Sequence, residues 1–143
     1  MADKEIRVVD PKTGAAKGSK LARFDLIPAQ PLWELAEHYG KGMNKYAARN
    51  FQKGYSWSLS IAALMRHIVQ FMKGEDFDNH NPDCPPNCTE HTGSAHVIAV
   101  CWHGLALRDF MLHHPEGDDR ESRFFEELTK ELAKKAAETK KST

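Results

Sequence analysis

The chain lacks any apolar run approaching the roughly 18 residues that a membrane-spanning helix needs. Its first residues, Met1 to Asp10, are charged and hold no apolar signal core, so a cytoplasmic location is expected. It has no surplus of either charge, with 20 Lys and Arg against 20 Asp and Glu. A dedicated DNA or RNA binder carries a basic excess, so that class is disfavoured. Small anionic ligands stay open, because a local basic cluster suffices for them. Cysteine is scarce and odd in number, three in all, which fits a reducing compartment better than a disulfide framework. No His-Asp dipeptide occurs, which disfavours the metal phosphohydrolases that use a histidine followed directly by an aspartate. No strand-period segment of convincing length and no internal repeat are found.

What is present is 143 residues, 41% hydrophobic and 28% charged, the profile of one soluble domain with a modest core. Residues 1–20 are polar, with Pro11, Gly14 and Gly18, and read as a flexible lead-in. A first helix is expected from Pro31 to Lys41, with Leu32, Leu35, Ala36 and Tyr39 as its apolar stripe and Gly40 and Gly42 as stop signals. A connector follows, Lys45 to Gly54. Ser56 or Ser58 can cap a second helix reaching Lys73, with Ile61, Leu64, Met65, Ile68 and Met72 as its stripe and Arg66 and His67 opposite. Gly74 marks its end or a kink. Residues 79–93, with Pro82, Pro85 and Pro86, allow no regular element. Ser94 can cap a third helix to His113, apolar almost all round and so expected to be the most buried, with Cys101 a small buried side chain. A last helix, about Glu121 to Lys140, has the narrow stripe Phe125, Leu128, Leu132 and Ala136. The fold class is therefore all-α, a compact bundle of about four helices. So few short helices bury little surface, so a homo-oligomer is expected.

Two acidic pairs carry the first candidate chemistry. Glu34 and Glu37 are three apart on the first helix, and Glu75 and Asp78 repeat that spacing after the second. Mg²⁺ takes oxygen ligands, keeps several waters and binds through carboxylates plus substrate phosphates. Lys45, Arg49 and Lys53 lie between the pairs at roughly helical spacing and offer phosphate partners. Read blandly, the acids face solvent and the basic segment is a solvated face. His80, Cys84, Cys88 and His91 form a second constellation that can hold a structural zinc ion, although the spacing is not a well-attested one. A loop that simply contains two free thiols is the alternative, with a Cys84–Cys88 disulfide a third. His67, His96 and His103 fall on helices expected to pack together.

An ordered series of short motifs carries a resemblance. It runs Arg23-x-Asp25-Leu-Ile-Pro28, Gly42-x-x-Lys45-Tyr46, Arg49-Asn50-Phe51, Lys53-Gly54, Trp57-Ser58, Arg66-His67, Gly74-Glu75-x-x-Asp78 and Thr92-Gly93-x-x-His96. Together, over about residues 20–113, these resemble the phage dATP/dGTP diphosphohydrolases, compact relatives of the MazG-type all-α nucleoside triphosphate pyrophosphohydrolases. The resemblance implies a MazG-like domain over 21–117 followed by a C-terminal helix, 118–143. It implies Mg²⁺, with Mn²⁺ as a substitute ion, held by Glu34, Glu37, Glu75 and Asp78. The implied reaction is attack of metal-bound water on the α-phosphorus of dGTP or dATP, giving the monophosphate and pyrophosphate. In phages with a modified purine, the dGMP formed feeds synthesis of the 2-aminoadenine deoxynucleotide, and the location is then the host cytoplasm. On this reading Lys45, Arg49 and Lys53 steady the β- and γ-phosphates, and Arg66, His67 and His96 support them. Trp57 or Phe51 stacks on the base, and Asp25 or Asn50 reads a purine edge, Trp57 being equally a core anchor. Two departures stand out: the segment from Asp78 to Thr92 is longer than the common family form, and Gly74 precedes Glu75 directly. The rival from another class is a non-catalytic helical adaptor with a zinc-stapled Cys/His loop; a second enzyme rival cuts the β–γ bond or acts on nucleotide-like alarmones.

Overall fold

The computed structural model describes residues 5–80, 83–85 and 88–141, the side chains of 136 and 139–141 excepted. Residues 1–4, Pro82, Pro86 and the Ala136 side chain, all used above, lie outside the described residues. The chain divides into two compact units, Met1–Trp33 and Glu34–Thr143.

The first unit holds an antiparallel hairpin, β1 (Ile6–Val9) paired with β2 (Ala16–Ser19), with Ile6 opposite Ser19 and Val9 opposite Ala16. Asp10 closes its turn by accepting from the backbone N–H groups of Lys12 and Thr13, the side-chain turn that aspartate favours. Hairpin structure within residues 6–19 is a departure from the pattern reading. Ile6, Val8 and Val9 are β-formers, but Lys17-Gly18-Ser19 is not, so alternation was visible on one strand only.

Helix α1 (Ala29–Gly42) begins two residues before the expected Pro31, and the proline sits in its first turn, where its missing N–H costs nothing. Helix α2 spans Trp57–Met72 and α3 His96–His113, and these two pack together as the core of the second unit. Trp57, Ser60, His96, Ile98, Ala99, Ala106 and Phe110 are buried there. The small residues Ser60, Ala99 and Ala106 let the helices approach closely, and Phe110 fills the far end against Tyr55, 4.7 Å between ring centres. Helix α4 (Glu121–Lys141) has Phe124, Phe125, Leu128 and Leu132 exposed along it. Among the described residues the architecture is mostly helical, with four α-helices and one small hairpin.

Several local expectations are corrected. The N-terminus of α2 is capped by neither Ser56 nor Ser58 side chains. Asp119 reaches back from beyond α3 and accepts from Ser58 N (2.8 Å) and the Ser58 hydroxyl. Ser94 does not cap α3, whose first flanking residue is Ala95; the Ser94 hydroxyl instead accepts from Lys41 Nζ at 3.1 Å. Met65 and Met72, assigned to the inner stripe of α2, are exposed, while His67 turns inward onto α3. Cys101 is exposed, as are Val97, Leu105 and Leu112 on the same side of α3. Both helices are apolar on two faces, and only one face of each is used in packing them together.

Gly74 ends α2. Its φ of +92° suits glycine, and the bonds Gly74 N to Phe71 O and Glu75 N to Gln70 O form the two-bond helix stop that such a residue permits. Glu75 therefore stands on the turn beyond the helix.

Candidate active site

Three helices bring polar side chains together beside the α2–α3 seam. From α1 comes His38, 9% exposed, its ring edge-on to Trp102 with centres 6.2 Å apart. Glu34, half-buried, lies one turn earlier on the same face as His38, and Lys41 follows nearly one turn later. Glu37 is exposed. Tyr39 rests on Phe51 and Trp102, with ring centres 5.9 and 6.0 Å apart. From α2 comes His67, and from α3 come His96 and His103. His67 and His96 share a hydrogen bond between their Nδ1 atoms at 2.8 Å, one ring donating and the other accepting. His103 lies 6.0 Å from His67 and 4.8 Å from Trp102, ring centre to ring centre.

The second acidic pair borders this group. Glu75 Oε2 accepts from Gln70 Nε2 at 3.2 Å and stands 4.0 Å from His96 Nε2, while Oε1 is 3.6 Å from Lys73 Nζ. Asp78 Oδ2 accepts from both the backbone N–H (2.8 Å) and the hydroxyl (3.0 Å) of Thr92. The residue before Asp78 is tied to the start of α3 by an antiparallel bridge, Phe77 with Ala95.

Burial sets the electrostatics. It pushes the pKa values of His38, His67 and His103 below the ordinary imidazole value, His103 furthest, to about 4. Repulsion among His38, His67 and the nearby cations Lys41 and Arg66 adds to this, while the Asp78 charge opposes it at His38 and His67. These three imidazoles are therefore neutral near pH 7. His38 Nδ1, His96 Nε2 and His103 Nδ1 are buried with no hydrogen-bond partner among the described residues. An unpaired buried polar atom is costly, and these three nitrogens lie beside the α2–α3 seam without a protein hydrogen-bond partner among the described residues.

The other expected site residues are distributed as follows. Lys45 lies over the Tyr46 ring, 5.6 Å from its centre. Arg49 holds a left-handed φ of 59° ahead of the 3-10 turn Asn50–Lys53, with Asn50 half-buried and Lys53 exposed. Arg66 is exposed on α2. Trp57 is a core anchor rather than an open platform: it is 5% exposed, its Nε1 donates to His114 O, and Arg120 covers its ring. Phe51 packs on Trp102, with centres 5.6 Å apart. Gly54 beside it has a φ of +78° and lies so close to His114 that a Cβ would meet the ring at 2.6 Å. Asp25 belongs to the N-terminal unit and makes a two-pronged ion pair with Arg23, at 2.7 and 2.6 Å.

The four carboxylates are not drawn into one group with atoms close enough to share an ion. Among the described residues, the set that is so drawn together is His80, Cys84, Cys88 and His91. A hydrogen bond from His91 is the chief cause that lowers the Cys88 thiol to about 6, and Cys88 in turn raises His91. His38, Lys41 and Trp102 were missed from the sequence. The signal available was the polar stripe Glu34, His38, Lys41 at helical spacing beside the apolar one.

Fold and site define a small helical protein with four imidazoles, Glu75 and Asp78 beside its central helix pair. A family model described as dATP/dGTP diphosphohydrolase, N-terminal, matches residues 11–120, and the chain belongs to that family. No curated protein and no solved structure matches the chain. No helix among the described residues is long and apolar enough to cross a membrane.

Proposed function

We propose that the chain hydrolyses dGTP and dATP to the monophosphate and pyrophosphate, using Mg²⁺, with Mn²⁺ as a substitute ion. The observation that carries this is the family match over residues 11–120, a span that contains the whole imidazole–carboxylate cluster. Glu34, Glu37, Glu75 and Asp78 supply the hard oxygen donors that suit the ion. They need not close around it, because Mg²⁺ retains waters and relies on substrate phosphates for the remaining ligands. When bound, the ion would neutralise phosphate charge and acidify water beside it.

The chain's own groups do the rest. Water adds to the α-phosphorus, the bond from that phosphorus to the β-phosphate oxygen breaks, and pyrophosphate leaves with the electron pair. His96, with Nδ1 fixed by His67 and Nε2 turned toward Glu75, is suited to accept the water's proton or to hydrogen-bond a phosphate oxygen. Lys45, Arg49 and Lys53 would meet the negative charge that accumulates on the departing pyrophosphate. Asn50 is the candidate reader of the purine edge.

The working form is a homo-oligomer, in the cytoplasm where nucleotide pools lie. The outer faces of α2 and α3 support this, for Leu59 is 61% and Met72 78% exposed on α2, with Val97, Leu105 and Leu112 open on α3. The dGMP product would enter synthesis of a modified purine deoxynucleotide, a role resting on the family likeness alone. The test is incubation with each common deoxynucleoside triphosphate, with and without Mg²⁺, and chromatographic separation of products. Monophosphate with pyrophosphate, from dGTP and dATP and only with the metal, is expected. Orthophosphate would mean a cut at the β–γ bond. Absence of hydrolysis would favour the adaptor reading, whose supporting observation is the tight Cys/His cluster.

A further inference from the structure

Between Asp78 and Thr92 the chain leaves the helices and returns to the point it left. Its two ends are locked to each other: Asp78 N donates to Ser94 O at 2.9 Å, Gly93 N donates to Asp78 O at 2.7 Å, and Thr92 clamps the Asp78 carboxylate. Asn79, His80, Asp83, Pro85, Thr89 and Glu90 are exposed, and no helix or strand lies among its described residues. Unstructured loops longer than roughly 12 residues are uncommon in compact domains and need a reason for their shape.

The loop's interior is not apolar. Ligand atoms of His80, Cys84, Cys88 and His91 all lie within 4.8 Å of one another. Cys84 Sγ is 3.3 Å and Cys88 Sγ 3.6 Å from His91 Nδ1, and the His80 and His91 rings stand 5.5 Å apart, centre to centre. In a tetrahedral Cys₂His₂ zinc site, bonds of about 2.0–2.3 Å place neighbouring ligand atoms roughly 3.3–3.8 Å apart. Two sulfurs and two imidazole nitrogens form a borderline-soft donor set, mismatched to Mg²⁺ and matched to Zn²⁺. Four protein ligands would leave no open position, the mark of a structural rather than a catalytic ion. Neither cysteine is in a disulfide.

We propose that His80, Cys84, Cys88 and His91 bind one structural Zn²⁺ that staples this loop. The ion replaces the hydrophobic core the loop lacks. Because the loop is anchored on Asp78 and Thr92, the staple also restrains the turn that carries Asp78. That last consequence bears on catalysis only through the proposed Mg²⁺ reading, whereas zinc binding stands apart from it.

The test is elemental analysis of the full chain purified without chelator, followed by Co²⁺ exchange. About one zinc per chain is expected, together with the intense visible absorption of a tetrahedral, thiolate-bound Co²⁺. The double variant Cys84→Ser/Cys88→Ser should lose the zinc and the Co²⁺ band, and Cys101→Ser should keep both. Should the double variant fail to fold, the wild-type chain still decides. Chelation that strips zinc should speed proteolytic nicking between Asn79 and His91 while helical circular dichroism stays unchanged. Wild-type protein without zinc after growth in zinc-supplemented medium, a Cys84–Cys88 disulfide in peptide mapping, or zinc retained in the double variant would each overturn the proposal. None of these readouts uses a nucleotide, so failure here and failure of the hydrolase reading are separable.

Discussion

Two polar clusters meet at Asp78 and are held in different ways. On one side, His38, His67, His96 and His103 come from three helices and owe their proximity to packing beside Trp102 and the α2–α3 seam. On the other, His80, Cys84, Cys88 and His91 come from one loop and owe theirs to chain locality. The first cluster is largely buried, and desolvation keeps His38, His67 and His103 neutral; the second is partly exposed and its polar atoms face one another. A site assembled by packing inherits the stability of the core, and a site assembled by a loop depends on whatever binds in it.

Changes that strike one cluster and spare the other test this contrast. The largest effect is expected from Phe110→Ala, which empties a fully buried position and should destabilise the chain by about 3–5 kcal/mol, read as a lower urea midpoint. At concentrations where the variant is still folded, its zinc content should match wild type, because the loop does not lean on that end of the seam. Next is Glu75→Gln, which should cut deoxynucleotide hydrolysis by on the order of 10²-fold or more with zinc content and helical signal unchanged. Near-wild-type turnover would remove Glu75 from the proposed chemistry.

Acid should separate the clusters further. His103 has a folded pKa of about 4 against an ordinary 6.5, so the unfolded chain binds more protons between those values. Its contribution to stability is complete above about pH 6.5 and is lost as pH falls toward 4, with His38 and His67 acting in the same direction. Urea midpoints at pH 7.5 and pH 4.5 should differ in that sense, and His103→Gln should shrink the difference. An equal difference in the variant would place the acid sensitivity elsewhere. The smallest effect is expected from Asp119→Ala, which uncaps α2 at a cost of about 1 kcal/mol. It should lower the thermal midpoint slightly and leave both zinc uptake and hydrolysis intact.

Much of the helical framework was readable before folding was considered. The helices α1 and α4, the stop at Gly74 and the turn-rich stretch after Asp78 all follow from periodicity and from residues with strong local preferences, although Leu32, Ala36, Phe125, Leu128 and Leu132 of the expected stripes are exposed. The hairpin was hidden because Lys17-Gly18-Ser19 has no β pattern of its own and is recruited by its partner strand. The facing of α2 was misread because it is apolar on two sides: Met65 and His67 could not be ranked until α3 was in place. Trp57 likewise became an anchor only through His114 and Arg120, distant in sequence.

The sequence alone determined which ligand types this protein owns and, for the loop, that they would be neighbours, since a few residues of flexible chain keep thiols and imidazoles within reach of one another. It also determined that α2 stops at Gly74, because that decision is made by dihedral preference and hydrogen bonding within a turn. Only the tertiary structure decided that His38 joins His67, His96 and His103, that burial suppresses the charges of His38, His67 and His103, and that Glu75 faces His96. Burial and the pairing of residues far apart in the chain are properties of packing, and no local pattern encodes them.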